Sequence, residues 1–389
     1  MASPTEQAQY LLRNAVEALP EGELERQLAR GVPLRVKLGI DPTAPDIHLG
    51  HTVVLEKLRE FQDLGHTVVL IIGDYTARVG DPSGRSAMRP MLSGEEIDRN
   101  ADTYQRQAFK ILDPERTEVR RNGEWLDMRA EDLFRLARHS TVAQLLARED
   151  FANRWKAQQP ISVLELLYPM LQGYDSVAIR SDVELGGTDQ HFNLLLGREI
   201  QQAYGVPPQS ILTMPILPGT DGIQRMSKSS GNYIGVDEPP EEIFGKVMSI
   251  PDETMPTYYS LLTHEQFDPS EHPGQAKRRL ARILVERFHG ADAARAAEEH
   301  FDRLFKQREL PDDIPEMALP DGDPVHIPAL LRDAFGVSGG EARRLIAGGG
   351  VRVNGEPLEP GDLDVNAERL NNAILQLGKR RFVRLSRGS

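Results

Sequence analysis

Two short apolar runs on either side of a helical pattern constrain the fold of this chain most strongly. The runs are Leu34–Ile40 (LRVKLGI) and Thr67–Gly73 (TVVLIIG). Between them, His51–Gly65 (HTVVLEKLREFQDLG) places apolar residues at the 3.6-residue period of a helix and ends at a glycine. A strand, a helix and a strand joined by short links form a βαβ unit. We therefore predict two parallel strands with a right-handed connection between them.

The same alternation of patterns extends from the N-terminal region to about Ile223. Ser93 and Glu96 have the spacing of a capping box, which predicts the start of a helix. We therefore predict an α/β fold, with a doubly wound, Rossmann-like parallel sheet. The other predicted elements of this region are helices over Thr5–Ala18, EGELERQLARG (with Gly31 as C-cap), Ile161–Asp175 and Thr188–Gly205 (with Thr188 as N-cap), and strands over Ser181–Gly187 and Ile211–Leu217.

The pattern changes after Gly235. Residues 237–308 have a mostly helical pattern, and LPDDIPEMALPDGDP is rich in proline and aspartate, as linkers are. Two short helical patterns, a strand with a turn (VRVNGEPL) and a basic strand (KRRFVRLSR) follow, which predicts a small α+β module. The predicted division is 1–223, the Rossmann-like body; 224–235, a mobile loop; 236–309, a helical domain; 310–325, a linker; and 326–389, the α+β module.

Composition limits the classes of protein to which this chain of 389 residues can belong. It contains no cysteine, which excludes disulfides, thiolate catalysis and cysteine-based zinc sites. The net charge of −13 argues against nonspecific coating of nucleic acid, although residues 326–389 carry 10 Lys and Arg against 7 Asp and Glu. No apolar run is long enough to span a bilayer, and the N-terminal residues lack the pattern of a signal peptide. We therefore expect a cytoplasmic protein without a membrane partner.

The loop after the first predicted strand, DPTAPDIHLGH (Asp41–His51), has the composition of a phosphate site. It lies at the carboxyl end of a strand, which is where open α/β sheets bind ligands. His48 and His51 open the next helix, whose free N–H groups favour an anion, and Gly50 lets a ligand approach the backbone. The pattern favours a nucleoside triphosphate. A metal pair and two merely packed imidazoles are the alternatives.

A second loop, DGIQRMSKSSGNYIG (Asp221–Gly235), carries two cations, Arg225 and Lys228, among serines and glycines. A flexible loop of this composition can close over a leaving polyphosphate. A turn with lysine and serine is by itself usually only a solvated loop. Its occurrence after HLGH on an α/β body is more specific.

HLGH and RMSKS together resemble the H-x-G-H and K-M-S-K-S signatures of class I aminoacyl-tRNA synthetases, with Arg225 in place of the first lysine. Within that class, YPMLQGYD places Tyr168, Gln172 and Asp175 at the spacing found in the tyrosyl-tRNA synthetases. GDPSGR and GGTDQ are also similar to segments of that family. The resemblance extends over nearly the whole chain. It implies a helical anticodon-binding domain, a C-terminal RNA-binding domain of the kind found in ribosomal proteins, and a homodimer.

The resemblance also implies an activity with its substrates and partners. It implies an enzyme that activates L-tyrosine with ATP to tyrosyl-adenylate, releases diphosphate and transfers the tyrosyl group to the 3′ end of tRNA(Tyr). Magnesium would arrive on the phosphates of ATP, without zinc or another dedicated metal site. Phosphoryl chemistry of this kind depends on positioning and charge stabilisation more than on acid or base catalysis.

By resemblance, the candidate site residues fall into four groups. The catalytic candidates are His48, His51, Arg225 and Lys228. The candidates for binding ATP are Gly39, Asp41, His48, Gly50, His51, Arg85, Arg89, Gly187, Asp189, Met226, Ser227 and Lys228. The candidates for binding tyrosine are Lys37, Asp81, Tyr168, Gln172, Asp175 and Gln190, with Asp175 accepting a hydrogen bond from the phenol. The candidates for tRNA contact are Arg343, Arg344, Lys379, Arg380 and Arg381.

One position departs from the common family pattern, and three other functions remain alternatives. Lys37 stands where many members have a tyrosine that helps to bind the phenol, as in a second bacterial subgroup, so Asp175 takes a larger share of that task. A tryptophanyl-tRNA synthetase is the nearest alternative. A small-molecule nucleotidyltransferase would not explain the helical and basic C-terminal segments. A non-catalytic RNA-binding relative would not explain intact His48, His51 and Lys228.

Overall fold

The structure of the chain is a computed structural model that describes residues 2–43, 46–82, 92–228, 230–305, 314–320, 322–378 and 381–386. The chain forms two compact units, Met1–Glu298 and Glu299–Ser389. In the described parts of both units, no helix is long and apolar enough to cross a membrane.

A six-stranded sheet organises the first unit. Its strands are, in chain order, β1 (Glu17–Leu19), β2 (Arg35–Ile40), β3 (Thr67–Ile72), β4 (Thr117–Arg121), β5 (Val183–Gly187) and β6 (Ser210–Met214). They lie in the order β1-β6-β5-β2-β3-β4, and every neighbouring pair is parallel except β1 with β6. The chain runs from β2 to β3 and β4, and returns to β5 on the other side of β2. The sheet is therefore doubly wound, as predicted, with its topological switch point between β2 and β5.

Helices connect the strands and form the remainder of the first unit. The predicted capping box is confirmed, because Ser93 and Glu96 each accept a hydrogen bond from the other's main-chain N–H. In chain order the helices up to residue 305 are α1 (Pro4–Leu11), α2 (Glu23–Leu28), α3 (Leu49–Asp63), α4 (Thr76–Val79), α5 (Gly94–Ala108), α6 (Gly123–Leu126), α7 (Ala130–Ala137), α8 (Val142–Leu146), α9 (Glu149–Lys156), α10 (Val163–Ile179), α11 (His191–Ala203), α12 (Pro240–Ser249), α13 (Met255–Leu262), α14 (Pro273–His289) and α15 (Ala291–Phe305).

Two predicted details of the first unit are wrong. The helix predicted over Thr5–Ala18 is only α1, and residues 17–19 instead form β1, which pairs with β6. Asn14 lies between the two elements in a left-handed conformation (φ 59°), through which an α-helix does not continue. Thr188 begins a short 3₁₀ turn and does not cap α11.

The sheet opens at its switch point. The predicted βαβ unit of β2, α3 and β3 is confirmed, with parallel pairing along the whole length of both strands. Pairing between β2 and β5 is much shorter and consists of Val36 with Val183 and Lys37 with Glu184. Beyond these pairs β2 and β5 diverge, which leaves a cleft at their carboxyl ends. Open α/β sheets bind their ligands at such a cleft.

The second unit has two small sheets and its own apolar core. Its strands are β7 (Glu316–Ala318), β8 (Val325–His326), β9 (Val351–Val353), β10 (Glu356–Pro357), β11 (Asp364–Val365), β12 (Ile374–Leu377) and β13 (Arg381–Ser386), and its helices after residue 305 are α16 (Ile327–Phe335), α17 (Gly339–Ala347) and α18 (Ala367–Leu370). One sheet has the order β10-β9-β12-β13-β7, and the other pairs β11 with β8. β7 lies within the segment predicted as a linker and runs parallel to β13.

Candidate functional site

A cavity of about 930 Å³ occupies the cleft at the carboxyl ends of β2 and β5. Its lining comes from the ends of these strands, the start of α3, one face of α10 and the loop that contains Arg225 and Lys228. Most of the predicted site residues line it, namely Gly39, Asp41, His48, Gly50, His51, Asp81, Tyr168, Gln172, Asp175, Gly187, Asp189, Gln190, Arg225, Met226, Ser227 and Lys228.

Some predicted site residues lie elsewhere. The side chain of Lys37 is fully buried below the cleft and does not line the cavity. Arg85, Arg89, Lys379 and Arg380 lie outside the described residues. The remaining three, Arg343, Arg344 and Arg381, belong to α17 and β13 of the second unit.

His48 and His51 pack against each other at the start of α3, with ring centroids 3.9 Å apart and ring planes inclined by 41°. His48 is the N-cap of this helix, and its Nδ1 accepts a hydrogen bond from the Gly50 N–H at 3.2 Å. The Nδ1 atom of His51 accepts one from the His48 N–H, also at 3.2 Å. With both Nδ1 atoms accepting, each neutral ring carries its proton on Nε2, where it can donate to a ligand.

Both imidazoles are held in the neutral form. Burial, together with the neighbouring His51, Lys228 and Arg225, lowers the pKa of His48 to about 2. Burial, followed by the charge of Lys228, lowers the pKa of His51 to about 4. The pair therefore offers neutral N–H donors near neutral pH rather than two positive charges.

The two predicted cations of the loop are each paired with a carboxylate. Lys228 Nζ lies 2.7 Å from Asp46 Oδ2, and Arg225 Nη1 lies 3.4 Å from Asp189 Oδ2. Gln107 also donates to Asp46, at 3.2 Å. An incoming polyphosphate would compete with these carboxylates for the cations, because a phosphate group forms the same charge-assisted hydrogen bonds.

A second group of cavity residues contains buried acids. Asp41 accepts hydrogen bonds from the Tyr168 hydroxyl at 2.9 Å and from Thr76 Oγ1 at 2.6 Å. Burial raises the pKa of Asp41 to about 7. Gly73 is required beside them, since a Cβ there would collide with the Asp41 carboxylate and the Thr76 hydroxyl.

Asp175 is held by side chains that the sequence did not identify. Its carboxylate accepts a hydrogen bond from Trp125 Nε1 at 2.8 Å and a longer one from Asn122 Nδ2 at 3.4 Å. Asn122 also donates to Thr76 Oγ1 at 2.9 Å. Burial raises the pKa of Asp175 to about 6, against the opposing positive charge of Lys37. Above that pH the group is an ionised acceptor with a fixed orientation.

A network of amides links the remaining polar residues of the cavity. Gln190 Nε2 donates to Asp81 Oδ2 at 2.9 Å, and Asn193 Nδ2 donates to Gln190 Oε1 at 2.9 Å and to Gln172 Oε1 at 3.0 Å. Arg148 approaches Asp81 Oδ1 at 3.5 Å. The cavity thus combines neutral and cationic donors around the two histidines with carboxylate and amide acceptors on α10 and near it. Such a site can hold an anionic polyphosphate beside a ligand with ammonium or hydroxyl donors.

Comparison with known proteins identifies similar chains over this whole length. A family model described as tRNA synthetases class I (W and Y) matches residues 29–306, and one described as S4 domain matches residues 329–363. The tyrosine–tRNA ligase of Syntrophotalea carbinolica is 52% identical over 404 residues, which cover 99% of this chain and 98% of that protein. That of Thermotoga maritima is 52% identical over 398 residues with the same coverage. The tyrosyl-tRNA synthetase of Archaeoglobus fulgidus complexed with L-tyrosine matches with a TM-score of 0.64 and 26% identity, covering 76% of this chain and 99% of that one.

The lowered pKa values of the two histidines predict a loss of stability in acid. Their pKa values in the folded chain lie below the unfolded value of 6.5, so the unfolded chain takes up protons first as the pH falls through 6.5. Between pH 7.5 and 5.5 the contribution of each imidazole to the free energy of unfolding should fall by about 1 kcal/mol, while the raised pKa values of Asp41 and Asp175 contribute with the opposite sign. The double variant His48→Asn/His51→Asn should lack this component. Urea unfolding at both pH values measures it, and an equal pH dependence in the two proteins would refute neutral histidines in the folded state.

Proposed function

Because the chain belongs to the tyrosyl-tRNA synthetases, a family of class I tRNA synthetases, we propose that it activates L-tyrosine with ATP and transfers the tyrosyl group to the 3′ end of tRNA(Tyr). One observation of the site carries the proposal. A single cavity is lined by His48, His51 and Lys228, which are donors suited to phosphate, and by the buried carboxylate of Asp175, which can accept a hydrogen bond. The cavity therefore has groups complementary to both substrates of the first step, a nucleotide and a phenolic amino acid.

In the first step the tyrosine carboxylate attacks the α-phosphorus of ATP. A P–O bond forms to that carboxylate, the bond to the oxygen bridging the α- and β-phosphates breaks, and diphosphate leaves with the negative charge. Lys228 and Arg225 would exchange their carboxylate partners for this charge, and the Nε2–H groups of His48 and His51 would donate to phosphate or ribose oxygens. The step requires no proton transfer by a side chain, which agrees with histidines that stay neutral.

The remaining contacts to ATP follow the family resemblance. Asp189 would bind the ribose of adenosine after releasing Arg225. Glycine at the ends of strands allows the nucleotide to lie against the main chain. The other proposed ATP contacts are Gly39, Asp41, Gly50, Gly187, Met226 and Ser227. Arg85 and Arg89 stay predictions for the same role.

Tyrosine would bind with its phenol at Asp175 and its ammonium at Asp81, Tyr168 and Gln172. Trp125 and Asn122 hold the Asp175 carboxylate in place, so that the phenol hydroxyl can donate to a preoriented acceptor. Phenylalanine would leave this buried carboxylate without that donor. The resulting penalty discriminates between the two amino acids, an effect for which the tyrosyl-tRNA synthetases are a standard example. Gln190 would lie near the reacting carboxylate.

Magnesium would enter the site with ATP. Among the described residues, no group of three or more His, Cys, Asp and Glu side chains could hold a metal ion. Mg²⁺ often binds through substrate phosphates and water with few protein ligands, and in that role it would neutralise charge on the departing diphosphate.

In the second step the terminal ribose of tRNA attacks the tyrosyl carbonyl and AMP leaves. The S4 match over residues 329–363 supports RNA contact by the second unit, where Arg343 and Arg344 lie on α17. Arg381 of β13 is proposed as a further tRNA contact, and Lys379 and Arg380 stay predictions for the same role. The helical segment α12–α15 is proposed to bind the anticodon region, as the resemblance implies.

The active form is proposed to be a homodimer. Half of the large apolar side chains that are exposed in the described chain fall between residues 134 and 164, namely Phe134, Val142, Trp155, Val163 and Leu164. A contiguous patch of exposed apolar side chains commonly marks a protein interface, and these five residues are the proposed contributors to one. Sedimentation equilibrium of the full chain should give twice the mass of 43.5 kDa, and Phe134→Asp with Trp155→Asp should shift it to the monomer.

Amino-acid-dependent exchange of diphosphate into ATP tests the proposed activity. Tyrosine should support exchange, while tryptophan and phenylalanine should not. Exchange with tryptophan alone would still indicate a class I tRNA synthetase, but one that activates tryptophan instead of tyrosine. Tryptophan activation is the second candidate function, because the matching family model describes both the W and the Y enzymes. Absence of exchange with all three amino acids would refute the proposed activity.

Lys228→Ala should slow formation of tyrosyl-adenylate roughly 100-fold, because the charge that Lys228 meets develops as diphosphate leaves. The dissociation constant of tyrosine should stay within about two-fold of the original value. Lys246→Ala is a matched control, since Lys246 also lies beside the Tyr233 ring but does not line the cavity. Single-turnover fluorescence and equilibrium dialysis give the two constants. An equal loss in rate and tyrosine affinity would remove the role assigned to Lys228.

Removal of residues 306–389, which form most of the second unit, should affect the two steps of the reaction differently. The shortened chain should end at Phe305, the last residue of α15. This end point also removes β7, because β7 would have no partner strand once β13 is deleted. We expect ATP–diphosphate exchange within about two-fold of the full chain, and a fall of roughly ten-fold or more in kcat/KM for tRNA charging. Normal charging by the shortened chain would show that the second unit does not bind tRNA during the reaction.

A further inference from the structure

A buried ion pair lies directly beneath the cavity. Lys37 of β2 and Glu184 of β5 are cross-strand partners, and theirs is the last pair before the two strands diverge. Their Nζ and Oε1 atoms are 2.8 Å apart, and the two side chains are 0% and 1% exposed. Burial of two charges is costly unless both are fully hydrogen-bonded. The other partners of the pair therefore decide how it is held.

The ammonium of Lys37 uses its three N–H groups on three acceptors. Besides Glu184 it donates to Ser176 Oγ at 2.8 Å and to the main-chain oxygen of Gln172 at 3.0 Å. Glu184 in turn accepts from Ser176 Oγ at 3.0 Å and from the side chain of Gln209. Two of the three acceptors of Lys37 belong to α10, so the ion pair fastens this helix to the sheet.

The turn of α10 that the pair holds also carries the amino-acid site. Gln172 and Ser176 are separated by one turn, and Asp175 lies between them. Pro169 lies within α10 and removes one main-chain hydrogen bond just before this turn. On another side Gly173 packs tightly on α11, where an added Cβ would lie 2.6 Å from Ile200 Cδ1. Contacts with the sheet and with α11 therefore help to position this turn.

We propose that Lys37 is a positioning residue for the recognition of tyrosine: it does not touch the substrate, and it holds the turn of α10 from which Asp175 accepts the phenol. This inference rests on the proposed function and assigns a role to a side chain that does not line the cavity. The positive charge of Lys37 also opposes the rise in the pKa of Asp175 that burial causes, which favours the ionised acceptor. The contacts of Lys37 with α10 and its positive charge thus both favour Asp175 as an acceptor for the phenol.

Two variants test the role of Lys37 by different changes. Ser176→Ala removes the hydroxyl that joins the ion pair to α10 and leaves both charges in place. Lys37→Met/Glu184→Gln removes both charges together, so that neither is left buried and unpaired. We expect the KM for tyrosine in ATP–diphosphate exchange to rise about three-fold in the first variant and about ten-fold in the second, with the KM for ATP within about two-fold of the original. The ratio of kcat/KM for tyrosine over phenylalanine should fall by similar factors.

The control is a second lysine–glutamate pair in the same unit, in which the lysine is buried and the glutamate is 16% exposed. Lys57 and Glu60 of α3 form an ion pair in which the lysine is 3% exposed, and neither residue lines the cavity. Lys57→Met/Glu60→Gln should lower stability in thermal unfolding without separating the two KM values. This control distinguishes loss of an ion pair with a buried lysine from loss of the contact with α10.

Each outcome decides the proposal. A selective rise in the KM for tyrosine in both α10-directed variants supports it. Unchanged constants in Ser176→Ala, or equal increases in the KM for tyrosine and ATP, would show that the pair is only structural. If the double variant does not fold, Ser176→Ala alone gives the decision. Exchange without tyrosine dependence in the unaltered chain would refute the proposed function itself, an outcome separate from these.

Discussion

The cavity exists because β2 and β5 stop pairing at Lys37 and Glu184 while β2 continues to pair with β3. In a doubly wound sheet the connections that follow the two strands at the switch point lead to opposite sides of the sheet. No connecting loop therefore crosses the cleft between these two strands. The strands continue beyond the last pair, and the residues at their ends, such as Asp41 and Gly187, line the opening. The ion pair beneath it fastens β2 and β5 to each other and to α10 through Ser176. The sheet, the cleft and the helix that bears the amino-acid site therefore depend on one set of contacts.

The cavity contains neutral imidazoles, buried carboxyl groups and cations that are paired with carboxylates. Burial keeps the two histidines neutral and raises the pKa of Asp41 and Asp175. Arg225 and Lys228 of the loop are paired with carboxylates that a phosphate can replace. Preorganised donors of this kind stabilise a charge that develops during the reaction more effectively than water does. The same cavity offers ionised and amide acceptors for a substrate with hydroxyl and ammonium donors.

Local sequence patterns predict most of the elements of the fold, but they do not predict the two edge strands of the large sheet. Apolar runs and capping residues predicted β2, α3 and β3, because these elements are long, periodic and buried. β1 has three residues and forms only by pairing with β6, so no local period marks it. β4 has the charged sequence TEVRR and was not predicted, since edge strands carry polar residues that hide the alternation of a buried strand.

The site shows the same limit. His48, Lys228 and Asp175 were identified by motif, but their partners come from distant parts of the chain. Asn122 and Trp125 approach Asp175 from about 50 positions away in sequence. Asn122 directly follows β4 at the carboxyl edge of the sheet, so recognition of that strand would have marked it as a candidate. Lys37 carried a family-based role at the phenol, whereas its contacts with Glu184 and Ser176 became visible only when β5 and α10 were placed beside it.

The most direct test is a high-resolution structure of the chain with L-tyrosine bound. The phenol oxygen should lie within about 3 Å of the Asp175 carboxylate, with Trp125 still donating to that carboxylate. Lys37 should remain on Glu184 and Ser176, out of contact with the ligand. A phenol bound directly by Lys37, or a tyrosine with its ammonium at Asp175, would contradict both the assigned recognition and the role of the buried pair.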